Sequence, residues 1–284
     1  MSVFAQVERV VTNVTLSSIE GFIIDLDGTV YRGKRPIAGA VEAIAELKRQ
    51  GKKTAFLSNR GNISRKMCKD KLSAMGLDVL EEEILLSSTV TANYLRTFYK
   101  HSQVWTLGDA GLLEELAAAG LTLADKPESA DWLVITLHET LTYKELNEAF
   151  RAVRSGARII ATNADKTFPG DEGDSIDVAG MIGAIVASTG KEVEVVIGKP
   201  SAVMAEAALN VLGLPPSSCL VIGDSLASDI QLGKQAGMRT ALVLTGSAKR
   251  EEAKASEWQP DWIWESLADV TQAAAFAAET EAAK

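Results

Sequence analysis

Two carboxylates stand two residues apart at the end of a short apolar run, Phe22-Ile-Ile-Asp25-Leu-Asp27-Gly-Thr29. The run is brief and β-branched, so it reads as a buried strand. Acids so placed repel one another and lose hydration, unless a divalent cation neutralises them. Gly28 allows the sharp turn that follows. Three other apolar runs end in groups of matching chemistry: Ser58-Asn59, Gly198-Lys199-Pro200 and Gly223-Asp224. Each ending alone is ordinary turn or cap chemistry. Together they supply what phosphoryl transfer requires. Three carboxylates suit one Mg²⁺, a hard cation that prefers oxygen. A carboxylate can serve as nucleophile through an aspartyl-phosphate. A hydroxyl, an amide and an ammonium can hold the phosphoryl oxygens. A second Asp can protonate a leaving alkoxide and then activate water.

The elements that must position these groups follow from pattern. Strands are expected at 21–26, 53–57, 84–86, 193–197, 219–223, 240–244 and 261–264, with helices at 38–50, 64–75, 201–212 and 226–236. Alternation of this kind gives an α/β fold, a Rossmann-like parallel sheet whose ligands gather at the carboxyl ends of its strands. A second set falls between the halves, with strands at 104–107, 132–136 and 158–162 and helices at 109–119, 142–154 and 177–189. Between the last strand and the last helix, Asn163–Asp174 reads as a polar, glycine-rich loop. The expected division is an N-terminal extension at 1–19, a catalytic core at 20–89 and 191–284, and an inserted domain at 90–190. Residues 275–284 read as a frayed helix.

A chain of 284 residues exceeds one ordinary core. Its net charge of −9 disfavours nucleic acid as a partner but leaves room for a small anionic metabolite. Two distant cysteines, Cys68 and Cys219, fit buried thiols in a reducing compartment. No run is long enough to span a membrane and the first twenty residues lack a signal-peptide pattern, so the cytoplasm is expected. No Gly-x-Gly-x-x-Gly follows the first strand, which disfavours a dinucleotide enzyme.

Asp25-Leu-Asp27-Gly-Thr-Val, Ser58-Asn59, Gly198-Lys199-Pro200 and Gly223-Asp224-Ser-Leu-Ala-Ser-Asp229 resemble the four motifs of the haloacid dehalogenase superfamily. The insertion resembles the large α/β cap of its nitrophenylphosphatase-like subgroup, which includes bacterial sugar phosphatases. The resemblance implies Asp25 as nucleophile and Asp27 as acid/base. It implies Mg²⁺ on Asp25, the Asp27 carbonyl and Asp224, and phosphate on Ser58, Asn59 and Lys199. Asp229 would orient metal waters or Lys199, and Gly28 would support the turn. The implied substrate is a small phosphomonoester, a sugar phosphate first, with phosphotransfer on the same core or hydrolysis of pyridoxal phosphate or phosphoglycolate as alternatives. Such caps often pair, which leaves room for a homodimer. Where much of the subgroup reads Thr-Asn-Asn, this chain has Ser58-Asn59-Arg60, and Arg60 either faces solvent, the favoured reading, or favours an anionic or hydroxyl-rich substrate. The cap is expected to close over the site, with the loop beginning at Asn163 and the surroundings of His138 as the readers of the leaving group. His138 itself either caps or packs within the cap, the favoured reading, or bonds substrate hydroxyls.

Overall fold

The computed structural model describes residues 16–170 and 173–271. The expected terminal helix at 275–284, and residues 1–15 of the expected extension, lie outside that range. What is described of the extension is a short turn, Leu16–Ser18, with Leu16 and Ile19 buried in the core.

Six parallel strands form the main sheet in the order Trp262–Trp264, Arg239–Val243, Cys219–Gly223, Gly21–Asp25, Lys53–Ser58, Ile84–Leu86. Gly21–Asp25 is buried along its whole length, as its unbroken apolar pattern requires. Chain order reverses beside it, so the switch point of the sheet lies at Asp25. The helices obey their end signals. Ser64 and Ser201 accept from Met67 N and Met204 N at the starts of Arg65–Ala74 and Ala202–Leu212. Thr142 and Glu145 close a capping box on Tyr143–Arg154.

A second parallel sheet runs Val195–Val196, Arg158–Ala161, Trp132–Ile135, Gln103–Leu107, Thr122–Leu123. This corrects the reading of 193–197 as a core strand. Val195 and Val196 pair with Ile160 and Ala161, so the second sheet extends past residue 190, and Lys199 follows its edge rather than a strand of the main sheet. Another correction concerns 163–174. Thr167–Gly170 and Gly173–Ile176 pair antiparallel as a hairpin where a loop was expected. The helix Ser87–Phe98, which crosses the expected boundary at 89/90, had no counterpart in the pattern analysis.

One apolar cluster runs through both sheets. Ile23, Leu57 and Leu85 of the first share it with Val104, Trp132 and Ile160 of the second, through Val90, Leu95, Met204 and Ala208 of the intervening helices. The loop after Lys53–Ser58 is gripped from the same side. Arg65 N donates to the buried Glu115 at 2.7 Å, Asn62 Nδ2 to Asp109 Oδ2 at 3.2 Å, and Ser88 Oγ to the Ile63 carbonyl at 2.9 Å. Gly61 lies against the carboxyl end of the second sheet. A Cβ there would stand 2.2 Å from Thr136 Oγ1 and 2.4 Å from Thr162 Oγ1, two hydroxyls already bonded to each other at 2.8 Å. Gly61→Ala is therefore expected to lower unfolding stability by about 1–3 kcal/mol, as overpacking does. Urea denaturation reads this directly, and an unchanged midpoint would show that the two sheets do not meet so closely at this loop.

Candidate active site

Asp25 ends the central strand and is buried at 6% exposure. Its Oδ1 accepts from Lys199 Nζ at 2.5 Å, whereas its Oδ2 is buried with no hydrogen-bond partner. The same ammonium donates to Asp229 Oδ1 at 2.6 Å and approaches the Leu57 carbonyl at 3.4 Å. Asp224 lies beyond the neighbouring strand, and one oxygen each of Asp25, Asp224 and Asp229 fall within 4.8 Å of one another.

The backbone around these acids is shaped by close approach. Gly28 has φ +88°, and a Cβ on it would lie 2.7 Å from Asp224 Oδ2. Across that carboxylate, a Cβ on Gly246 would be 1.9 Å from the same oxygen. The Ser247 amide donates to Asp224 Oδ2 at 2.6 Å, and Thr245 Oγ1 donates to the Gly28 carbonyl at 2.6 Å. Asp229 comes from a π-helical turn, Leu226–Ile230, capped by Ser225, where an ordinary helix was expected. Its Oδ2 accepts from the Ser225 amide at 3.1 Å. Both Asp229 oxygens are thus engaged by the protein.

The cluster holds more negative than positive charge. Burial, opposed by Lys199 and reinforced by Asp229 and Asp224, pushes the Asp25 carboxyl well above its usual range. Burial and then Asp229 raise Asp224 to about 6, against the Ser247 amide. Burial works against the Lys199 ammonium, but Asp229 and Asp25 overcome it and hold its pKa above the ordinary value. A divalent cation fits this donor set. It needs hard oxygen ligands, and Asp25 Oδ2 and Asp224 supply them in a pocket short of positive charge.

The second expected group joins this centre through Asn59. Its Oδ1 accepts from Lys199 N at 2.7 Å, and its Nδ2 donates to Asp165 Oδ2 at 2.9 Å and the Lys199 carbonyl at 3.2 Å. Ser58 is buried, and its hydroxyl accepts from the Arg60 amide at 3.2 Å. Asp27 is more open, with Oδ2 accepting from Tyr31 Oη at 3.1 Å.

Three further residues have defined surroundings. Arg60 does not face solvent freely: its Nε is 3.5 Å from Asp27 Oδ2, and its guanidinium lies 5.0 Å from the centroid of the Phe168 ring. His138 is buried, its Nδ1 2.9 Å from Asp109 and its Nε2 3.4 Å from Glu145, and it lines a pocket of about 270 Å³ with Trp105 and Glu148. Asn163 donates to the Asn59 carbonyl at 2.7 Å and accepts from the Asp165 amide at 2.9 Å. Protein groups occupy the Asn163 amide, whereas the buried His138 Nδ1, though flanked by Asp109, makes no hydrogen bond. Sequence reasoning missed Tyr31, Asp165, Phe168 and Thr245-Gly246-Ser247. The last had a usable signal, small residues after the apolar strand at 240–244, like the other endings.

Comparison with known proteins agrees with this arrangement. A haloacid dehalogenase-like hydrolase model matches residues 22–122, and a HAD-hydrolase-like model matches residues 196–270. The chain is 56% identical to the sugar-phosphatase AraL of Bacillus subtilis over 254 residues, covering 89% of this chain and 93% of the relative. It is 34% identical to the 5′-nucleotidase YutF of the same organism over 89% of this chain and 98% of that one. Among solved structures, the p-nitrophenyl phosphatase from Archaeoglobus fulgidus superposes with a TM-score of 0.85 at 37% identity, covering 90% of this chain and 99% of that chain. The 4-nitrophenylphosphatase from Thermotoga maritima gives 0.86 at 31% identity, with coverage of 91% and 98%. The chain belongs to the haloacid dehalogenase-like hydrolases.

Proposed function

We propose that the protein is a Mg²⁺-dependent phosphatase that hydrolyses small phosphomonoesters, sugar phosphates above all, in the cytoplasm through an aspartyl-phosphate on Asp25. The observation that carries this reading is the Asp25 carboxylate. One oxygen is clamped by Lys199, and the other is buried without a partner beside Asp224. The names of the relatives, a sugar phosphatase and two nitrophenylphosphatases, support the substrate class.

In this reading Asp25, the carbonyl of Asp27 and Asp224 hold Mg²⁺, which supplies positive charge to the phosphoryl oxygens. The Asp25 carboxylate attacks phosphorus, forming an acyl phosphate as the bond from phosphorus to the ester oxygen breaks. Lys199 balances charge at the nucleophile and helps hold the phosphoryl group, while Asp229 fixes the ammonium. The Ser58 hydroxyl and the backbone and amide of Asn59 line the phosphate side. Asp27, the more exposed carboxyl, donates a proton to the departing alkoxide. It then takes one from the water that cleaves the acyl phosphate.

Phosphate release from p-nitrophenyl phosphate and from a panel of sugar phosphates tests the assignment. Turnover should require Mg²⁺ and be lost after exhaustive chelation. Ca²⁺ should inhibit, since it takes more ligands at longer distances and would misplace the nucleophile. Full activity in the chelated protein would refute the metal requirement. Asp25→Asn should remove at least about three orders of magnitude of turnover while the protein stays folded. Activity above a tenth of the parent in that variant is incompatible with the proposed nucleophile. Asp27→Asn should cost far more on a sugar ester than on a nitrophenyl ester, whose leaving group needs little protonation. Equal losses would count against the acid/base role.

A further inference from the structure

Both side-chain contacts made by Asp27 fall on one oxygen. Tyr31 Oη donates to Oδ2 at 3.1 Å, and Arg60 Nε stands 3.5 Å from the same atom. The two partners are anchored differently. Tyr31 is fully buried, its ring covered by the Lys71 ammonium at 3.6 Å from the centroid, so its hydroxyl is part of the rigid core. Arg60 follows the phosphate-side pair Ser58-Asn59, and its guanidinium rests on Phe168 of the hairpin strand Thr167–Gly170. A planar guanidinium on an aromatic face is attracted by the ring's negative face, the more so as it is withdrawn from water. Here its side chain is 29% exposed. The contact biases where one side chain sits, and it ties the acid to an element outside the main sheet.

We propose that Arg60 is a positioning residue for Asp27. It holds the carboxylate by Oδ2 and takes its own place from Phe168, so Asp27 is aligned only when the 167–176 hairpin is seated on the core. This rests on the acid/base reading of Asp27 given above. The arrangement leaves the other oxygen of Asp27 to carry the transferred proton, while Oδ2 is fixed from two sides. It also gives the hairpin a chemical consequence: its seating and the readiness of the acid are one event. The role needs an arginine, because lysine keeps the charge but loses the flat face that lies on the ring.

Steady-state kinetics of Arg60→Ala, Arg60→Lys, Phe168→Ala and Arg60→Ala/Phe168→Ala, with Mg²⁺, separate this from a structural role. The probes are glucose 6-phosphate, a poor leaving group, and p-nitrophenyl phosphate, a good one. Arg60→Ala should lower kcat on the sugar ester by about 10–100-fold, a fraction of what a general acid contributes. It should lower kcat on the nitrophenyl ester much less, with KM moving less than kcat on both. Arg60→Lys should recover part of the loss. Phe168→Ala should show the same dependence on leaving group, and the double variant should be no worse than Arg60→Ala, because the two changes remove one interaction. Equal losses on both esters, a change confined to KM, or fully additive losses would overturn the proposal. If Arg60→Ala does not fold by thermal melting, the lysine and Phe168 variants carry the same comparison. Asp27→Asn measured alongside keeps the two readings apart. If that variant does not discriminate between the esters, the acid/base reading fails. If it discriminates and the Arg60 variants do not, only the role of Arg60 fails.

Discussion

A lysine ammonium buried between two carboxylates sets the terms for the rest of this molecule. Lys199 touches Asp25 and Asp229, and all three side chains are almost wholly withdrawn from solvent. Each charge alone would cost several kcal/mol to bury, and only their mutual contact makes the site tolerable. Every part must therefore arrive together. Asp25 comes from the central strand, Asp229 from a π-helical turn, and Lys199 from the loop after the edge of the second sheet. Gly223 has no side chain because the Asp229 carboxyl carbon lies 2.2 Å from where a Cβ would stand. Three acids share one base, so the cluster is short of positive charge, and burial, reinforced by Asp229, lifts the pKa of Asp224.

The second sheet is in direct contact with this centre. Its residues share an apolar cluster with the main sheet, and the loop carrying Asn59 is bonded to Asp165, Asp109 and Glu115 of the insertion. The hairpin 167–176 is a smaller unit, and through Phe168 and Arg60 it reaches the acid directly. Motion that matters for chemistry can thus be confined to a short element over a fixed platform.

The chemical endings were legible because four apolar runs, each with an ending that is ordinary alone, stop on groups of matching chemistry, and strand ends are where a parallel sheet gathers its ligands. Asp25, Asp224, Asp229, Lys199 and Asn59 meet as their positions suggested. What escaped depended on tertiary partners. Val195–Val196 has the apolar β-branched pattern of any buried strand, and nothing local says which sheet receives it. Thr167–Gly170 and Gly173–Ile176 are rich in turn formers, so pairing between them is weakly signalled. Ser87–Phe98 opens with Ser, Ser and Thr, poor helix formers that are buried here under neighbouring elements. A charge such as Arg60 looks solvated until an acid and an aromatic ring from distant segments are placed beside it. His138 packs within the insertion between Asp109 and Glu145, in line with the packing reading favoured for it from the sequence.

The proposed mechanism needs an Asp25 oxygen to bond to phosphorus, and the direct test is to catch that bond. Protein turning over a saturating phosphomonoester is quenched in acid, digested, and its peptides are weighed for an added phosphoryl group. The group should appear on the peptide that carries Asp25 and be absent when Asp25→Asn is treated alike. A phosphoryl group on any other residue, or one that persists in Asp25→Asn, would contradict the mechanism.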